Sequence, residues 1–149
     1  MLELAHDAGK PVLIHDRDAH DEVLAAVRAV PGSRGIMHCF SGDADFARRC
    51  AEERFIASFS GIVTFPRSDG IQDAARTVAD DGYVVETDSP FLSPAPERGK
   101  PNLPERVAIT AAAVAKLRGA SVEDVRAATT RTAHRVLGIG TPRTAEARV

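Results

Sequence analysis

Three short apolar segments of the chain each lead into a side chain that can bind a metal ion. The segment PVLI is followed by His15, GIM by His38, and YVVET by Asp88. Two imidazoles and a carboxylate are ligands that Zn²⁺ and Mn²⁺ accept, and a metal-activated water hydrolyses esters and amides. Each residue alone is more often structural, so the prediction depends on the three strand ends carrying such side chains together.

Strand-like and helix-like segments alternate along the chain, and this alternation must position the three side chains. Four apolar runs end near positions 15, 38, 60 and 88, at intervals of about one α/β unit. Their continuity favours parallel strands covered on both faces. Amphipathic helices fill the gaps between them. The pattern predicts a parallel α/β fold in which the carboxyl ends of the strands share one cavity.

The pattern changes after the last of these strands. Residues 93–104 are rich in proline and predict a loop, and helices follow. Ser121 has the features of a helix cap with an acidic residue three positions on, and Gly138 is predicted to end that helix. We therefore predict one domain over residues 1–140 and a polar, disordered tail over residues 141–149.

Composition narrows the function classes. The chain has 149 residues, 44% of them hydrophobic, and a net charge of −2, which indicates a soluble globular domain without general attraction to nucleic acid. No apolar run has the length of a membrane span, and no signal peptide is evident, so we expect a cytoplasmic protein without a membrane partner. Cys39 and Cys50 fit no zinc or redox spacing and are predicted to be buried thiols.

Charged residues near the strand ends have candidate roles, each with an alternative. Arg17, in the loop after His15, is predicted either to clamp a phosphate or to pair with a neighbouring aspartate. Glu86 lies two residues before Asp88, on the same face of the strand, and is predicted to orient a ligand histidine. Arg98 belongs to the ERGKPN segment, which either contacts a nucleic-acid backbone or forms a rigid loop.

Taken together, these segments resemble the TatD family of metal-dependent deoxyribonucleases, relatives of the amidohydrolases with a TIM-type (β/α)8 barrel. The matching stretches are PVLIHDRDA, RGIMHCFSGD, FIASFSGIVTF, VVETDSPFLSPAPERGKPNLP and VEDVRAATTRTAHRVLG. The resemblance implies that His15 and His38 bind one metal at the ends of the fifth and sixth strands. It implies that Asp88, on the eighth, binds the other metal and accepts a proton from the attacking water. The implied cofactors are two divalent ions (Zn, Mn or Mg), and the implied substrate is a DNA phosphodiester.

The chain departs from the family pattern in its earlier strands. The family opens with an HxH motif and carries a bridging glutamate in a GExGLD-like segment, and neither occurs here. A full barrel needs about 250 residues and eight strands. We therefore interpret the chain as the carboxyl-terminal portion of such a barrel, comprising about strands 5–8 with their helices.

Three alternatives for function follow from this interpretation. In the first, the parent protein is a two-metal nuclease whose later ligands lie in this chain. In the second, the chain is a non-catalytic remnant, or works only with a partner that supplies the missing half-barrel or by self-association through its open strand edges. In the third, the protein is an amidohydrolase acting on C–N or ester bonds, because the ligand set is shared. We expect little or no activity from this chain alone.

Overall fold

Four parallel strands form the centre of the protein, which a computed structural model describes over residues 1–140. The strands lie side by side in sequence order, and each neighbouring pair is parallel. They are β1 (Val12–His15), β2 (Gly35–His38), β3 (Phe55–Phe59) and β4 (Tyr83–Val85). Because all four strands run in one direction, their carboxyl ends meet at one edge of the sheet. The predicted α/β class with a parallel sheet is confirmed.

Helices connect the strands and follow the last one. Over residues 1–140 they are α1 (Leu2–Asp7), α2 (His20–Arg28), α3 (Ala44–Glu52), α4 (Asp69–Thr77), α5 (Val107–Arg118) and α6 (Val122–Leu137), with 3₁₀ turns at Gly61–Thr64 and Pro104–Arg106. As predicted, the Ser121 hydroxyl accepts the Asp124 N–H at 3.0 Å at the start of α6, and Gly138 ends it with φ +67°. No helix in this part of the chain is long and apolar enough to cross a membrane. The predicted tail, 141–149, lies outside the described residues.

Two apolar layers cover the sheet. The larger layer fills the space between one face of the sheet and helices α2 to α5. The smaller layer, on the other face, consists of Ile36, Ile56 and Val84, which pack against Val136 of α6. Side chains alternate between the two faces of a strand. The residues two positions after Ile36, Ile56 and Val84 therefore also lie on this second face, nearer the carboxyl edge, and they are His38, Ser58 and Glu86.

Strand β1 is an edge strand and is less buried than predicted. Leu13 is 60% exposed, and Val12 and Ile14 are only half-buried. In the described part of the chain β1 pairs with β2 alone, so its outer backbone groups lack a strand partner there. The prediction of strands covered on both faces is confirmed for β3 and is wrong for β1, because within residues 1–140 no strand lies beyond β1 and Leu13 remains exposed.

Strand β4 ends before the predicted position at Asp88. The ladder closes at the pair Phe59 and Val85, and the Glu86 N–H still donates to the Phe59 carbonyl at 2.9 Å. Asp88 itself has φ +59°. This left-handed conformation, which aspartate tolerates better than most residues, turns the chain away from the strand direction. Asp88 therefore lies on a turn after the strand.

Candidate metal centre

Three side chains meet at the carboxyl edge of the sheet. Among the described residues, His38, Glu86 and Asp88 each place one possible ligand atom within 4.8 Å of the others. Glu86 Oε2 lies 2.9 Å from Nδ1 of the His38 imidazole, and Asp88 Oδ1 lies 3.2 Å from Nε2. The end of β2 thus presents an imidazole that is held between two carboxylates from the segment after β4.

Glu86 is engaged by hydrogen-bond donors on both of its oxygens. Oε1 accepts the Cys39 N–H at 3.1 Å, and Oε2 accepts the Ser58 hydroxyl as well as facing the His38 ring. A carboxylate has room for these contacts, but they occupy the directions a metal would need. The arrangement suits an orienting residue better than a ligand. The contact predicted between Glu86 and a strand-end histidine is present.

The space between His38 and Asp88 fits a divalent ion. Two ligand atoms that are each about 2.1 Å from one ion lie about 3.2 Å apart when the angle at the ion is about 100°, and Nε2 and Oδ1 are 3.2 Å apart. In the described part of the chain, no lysine or arginine lies within 4.0 Å of the Glu86 or Asp88 carboxylate. Half-buried carboxylates without a cationic side chain attract a metal ion, and the imidazole favours zinc or manganese over magnesium.

His15 lies beside this cluster and outside it. It is the register partner of His38 on the neighbouring strand, and the two ring centroids are 5.8 Å apart. Two imidazoles bound to one ion have ring centres roughly 5 to 6 Å apart, so this separation permits a shared ion. The His15 side chain is exposed because β1 is an edge strand.

Two residues of the site have left-handed backbone conformations without being glycine. Cys39 has φ +50° and Asp88 has φ +59°, and such conformations cost about 1–3 kcal/mol each. At Cys39 the turn directs the backbone N–H at Glu86. At Asp88 the turn is closed by the Phe91 N–H, which donates to the Asp88 carbonyl at 2.8 Å. Both conformations therefore help to bring the segments after β2 and β4 together at the site.

The charged groups around the site shift the pKa of the buried Cys39 thiol. Burial raises the pKa of Cys39 and a hydrogen bond from Ser60 opposes this, while Asp88 and Glu86 raise the pKa further and Arg17 lowers it. Arg17 is exposed and forms no ion pair within residues 1–140, so the predicted pairing with an adjacent aspartate is not observed.

The ERGKPN segment is tied to the turn that carries Asp88. Asn102 is 2% exposed, and its Nδ2 donates to the carbonyls of Thr87 and Phe91, both at 2.7 Å. This supports the rigid-loop interpretation at Asn102. Arg98 is exposed, and its guanidinium lies 4.2 Å above the ring of Phe65.

Sequence analysis did not identify Ser58 as part of the site. Its hydroxyl donates to Glu86 from the residue next to the carboxyl end of β3, a strand that is buried throughout. The available signal was a hydroxyl within the apolar run FIASF, on the same strand face as Ile56. Its partner lies 28 residues away, and only the parallel pairing of β3 with β4 brings the two together.

A separate cavity of about 950 Å³ lies at the opposite edge of the sheet. Arg34, Arg54 and Gly82, which precede β2, β3 and β4, line it together with Ile56 and Val136. In parallel α/β folds, catalytic groups collect at the carboxyl ends of the strands. None of the three predicted metal ligands borders this cavity, so it is not the candidate centre.

Comparison with known proteins decides the family. The model of the family described as TatD related DNase matches residues 1–138. The chain belongs to the TatD related DNase family. The uncharacterized metal-dependent hydrolase YcfH of Escherichia coli K12 is 42% identical over 131 residues, which cover 87% of this chain and 49% of YcfH. The uncharacterized metal-dependent hydrolase YabD of Bacillus subtilis 168 is 36% identical over 140 residues, covering 93% of this chain and 55% of YabD.

A TatD structure shares the fold. The crystal structure of YjjV, a TatD homolog from E. coli K12, aligns with a TM-score of 0.86 and 26% identity, covering 93% of this chain and 54% of YjjV. The chain spans about half the length of the curated relatives it matches. Family membership agrees with the resemblance recognised in the sequence, and YcfH and YabD are both described as metal-dependent hydrolases.

Proposed function

We propose that this chain contributes His15, His38 and Asp88 to the metal centre of a TatD-type phosphodiesterase that acts on DNA. The proposal is carried by the pairing of His38 Nε2 with Asp88 Oδ1 at 3.2 Å, with no cationic side chain beside the carboxylate in the described residues. The family name, TatD related DNase, supports DNA as the substrate. The metal-dependent relatives support a divalent cofactor.

In this proposal, different residues of the chain bind the metal ions, accept a proton and orient a ligand. His15 and His38 would hold one divalent ion, which Asp88 would also contact because its Oδ1 lies 3.2 Å from Nε2 of His38, and Asp88 would hold a second ion; zinc, manganese and magnesium are the candidate metals. A bound metal lowers the pKa of water and polarises a phosphoryl oxygen. Asp88 is the catalytic residue in this proposal, since its carboxylate accepts the proton of the attacking water. Glu86 acts through His38, because holding Nδ1 keeps Nε2 directed at Asp88.

Two arginines are proposed to bind the substrate phosphate. Arg17 is exposed and forms no ion pair within the described residues, so its guanidinium is available for bidentate contact with a phosphate. Arg98 stacks on Phe65, which leaves the N–H groups at the edge of its guanidinium available for phosphate oxygens.

The proposal includes further strands that complete the barrel. Residues 1–140 form the carboxyl-terminal part of a (β/α)8 domain, and additional strands pair with the edges of β1 and β4. Support comes from the exposed Leu13 on the edge strand and from the alignment with about half of YjjV. The additional strands come from an amino-terminal half-barrel or from a second copy of the chain, and the assembled enzyme works in the cytoplasm on DNA.

Phosphodiesterase assays test this function. We expect the 149-residue chain with Mn²⁺ to cleave single- and double-stranded oligonucleotides slowly or not at all. A longer protein is expected to be active if the DNA upstream of Met1 encodes in-frame HxH and GExGLD-like segments. In that protein, His38→Ala should lower the rate at least about 100-fold, since metal catalysis contributes several kcal/mol.

The other outcomes decide against the proposal. Cleavage of amide substrates without cleavage of DNA would identify an amidohydrolase. Stop codons upstream of Met1, together with no hydrolysis of any substrate, would identify a non-catalytic remnant. Rapid cleavage by the 149-residue chain alone, abolished by His38→Ala, would contradict the need for further strands.

A further inference from the structure

Ser58 is a buried hydroxyl on a strand that is otherwise apolar. It is 2% exposed, and all five residues of β3 are buried. A buried hydroxyl destabilises a fold unless it finds a hydrogen-bond partner. Its partner is Glu86 Oε2, the same oxygen that faces Nδ1 of His38.

We propose that Ser58 is a positioning residue for the metal centre, and this inference rests on the proposed function. The Ser58 hydroxyl and the Cys39 N–H fix the two oxygens of Glu86, one each. Fixed in this way, the Glu86 carboxylate accepts Nδ1–H of His38 along one direction. The imidazole then has one orientation, with Nε2 facing Asp88 at 3.2 Å.

The network joins three neighbouring strands. Ser58 belongs to β3, His38 ends β2, and Glu86 follows β4. Since β3 lies between the other two strands, a donor at Ser58 reaches the carboxylate from the rigid centre of the sheet. A donor anchored on a central strand restricts a side chain more strongly than one on a loop.

The same strand end offers a matched control. Ser60 is 1% exposed and lies two residues further along, with its hydroxyl 3.5 Å from the Cys39 thiol. Ser60 makes no hydrogen bond to Glu86 within the described residues. Ser60→Ala therefore removes an equally buried hydroxyl beside the site without removing a hydrogen bond to Glu86 or His38.

The test combines proton NMR of the metal-free chain with zinc titration calorimetry. In the wild type we expect a downfield His38 Nδ1–H resonance that exchanges slowly with water, assigned by its loss in His38→Ala. In Ser58→Ala this resonance should broaden, and zinc affinity should fall roughly 3- to 10-fold, because one of the bonds that orient the ligand is lost. Ser58→Cys keeps the volume with a weak donor and should behave like Ser58→Ala. Ser60→Ala should leave both readouts unchanged.

The inference is overturned if Ser58→Ala and Ser58→Cys keep the wild-type resonance and zinc affinity, or if Ser60→Ala changes both as strongly. Failure of the proposed function is a distinguishable result. If the wild-type chain binds no zinc while the resonance responds to Ser58→Ala as expected, Ser58 positions His38 and the metal centre is wrong.

Discussion

Replacement of Glu86 by glutamine isolates the contribution of one carboxylate oxygen to metal binding. Oε2 faces two donors, the Ser58 hydroxyl and Nδ1 of His38, whereas Oε1 faces only the Cys39 N–H. A glutamine whose oxygen takes the place of Oε2 keeps the first two contacts and sets its NH₂ against the Cys39 N–H. The opposite orientation sets NH₂ against the other two donors.

One orientation of the amide leaves the Cys39 N–H facing a donor, the other forces Nδ1 of His38 and the Ser58 hydroxyl to change from donor to acceptor, and the negative charge is lost in both. Loss of an outer partner of a ligand histidine typically lowers metal affinity about 10- to 100-fold, which corresponds to about 1.4–2.7 kcal/mol. We expect a value near the lower end, because one orientation keeps the contact with His38. The fold should be retained, since glutamine has the shape of glutamate.

Isothermal titration calorimetry with Zn²⁺ on the wild type and Glu86→Gln measures this difference. Glu53→Gln is the matched control, because Glu53 is also a half-buried carboxylate, with Arg28 Nε at 2.8 Å, and does not contact the site. We expect the control to bind zinc like the wild type. A Glu86→Gln affinity within about twofold of the wild type would refute the orienting role.

Three further predictions concern stability. Asn102→Ala should lower the free energy of unfolding by about 1–3 kcal/mol in urea titrations, because the carbonyls of Thr87 and Phe91 lose the donor that the buried Asn102 amide provides; an unchanged urea midpoint would contradict the rigid-loop role. Phe59→Ala should cost about 3–5 kcal/mol in the same assay, since Phe59 is 0% exposed, and a loss below about 1 kcal/mol would show that the aromatic core is wrongly described. Burial raises the pKa of Cys50 to about 12 from 9.0. In the unfolded chain the Cys50 thiol therefore loses its proton at a lower pH than in the folded protein. The free energy of unfolding should fall by up to about 1.4 kcal/mol per pH unit as the pH rises from 9.0 to about 12. Cys50→Ala should flatten this dependence, and an equally steep slope in the variant would exclude Cys50 as its cause.

The sequence predicted most of the fold because the relevant signals are local. The continuous apolar run of β3 marks a strand buried on both faces, and the cap residue Ser121 marks the start of α6. The run Val12-Leu13-Ile14 has the same character, yet β1 is an edge strand. An apolar run does not specify whether a neighbour covers it, so its exposure was not predictable.

The closeness of His38, Glu86 and Asp88 could be predicted from the sequence, whereas the contacts that support them could not. His38 and Asp88 follow apolar runs, and the strand periodicity placed Glu86 on the same face as Asp88. The left-handed turn at Asp88 and the bond from Ser58 depend on contacts between strands that are distant in sequence. Such contacts leave no periodic signal in the chain.

X-ray absorption spectroscopy of the zinc-loaded chain tests the central claim, that the ends of β1, β2 and β4 form a divalent-metal centre. We predict nitrogen and oxygen ligands at about 2.0–2.1 Å with the outer-shell scattering of imidazole. His38→Ala should weaken the imidazole scattering, and Asp88→Ala should remove an oxygen ligand. Sulfur ligands at about 2.3 Å, or a spectrum unchanged in His38→Ala, would contradict the claim.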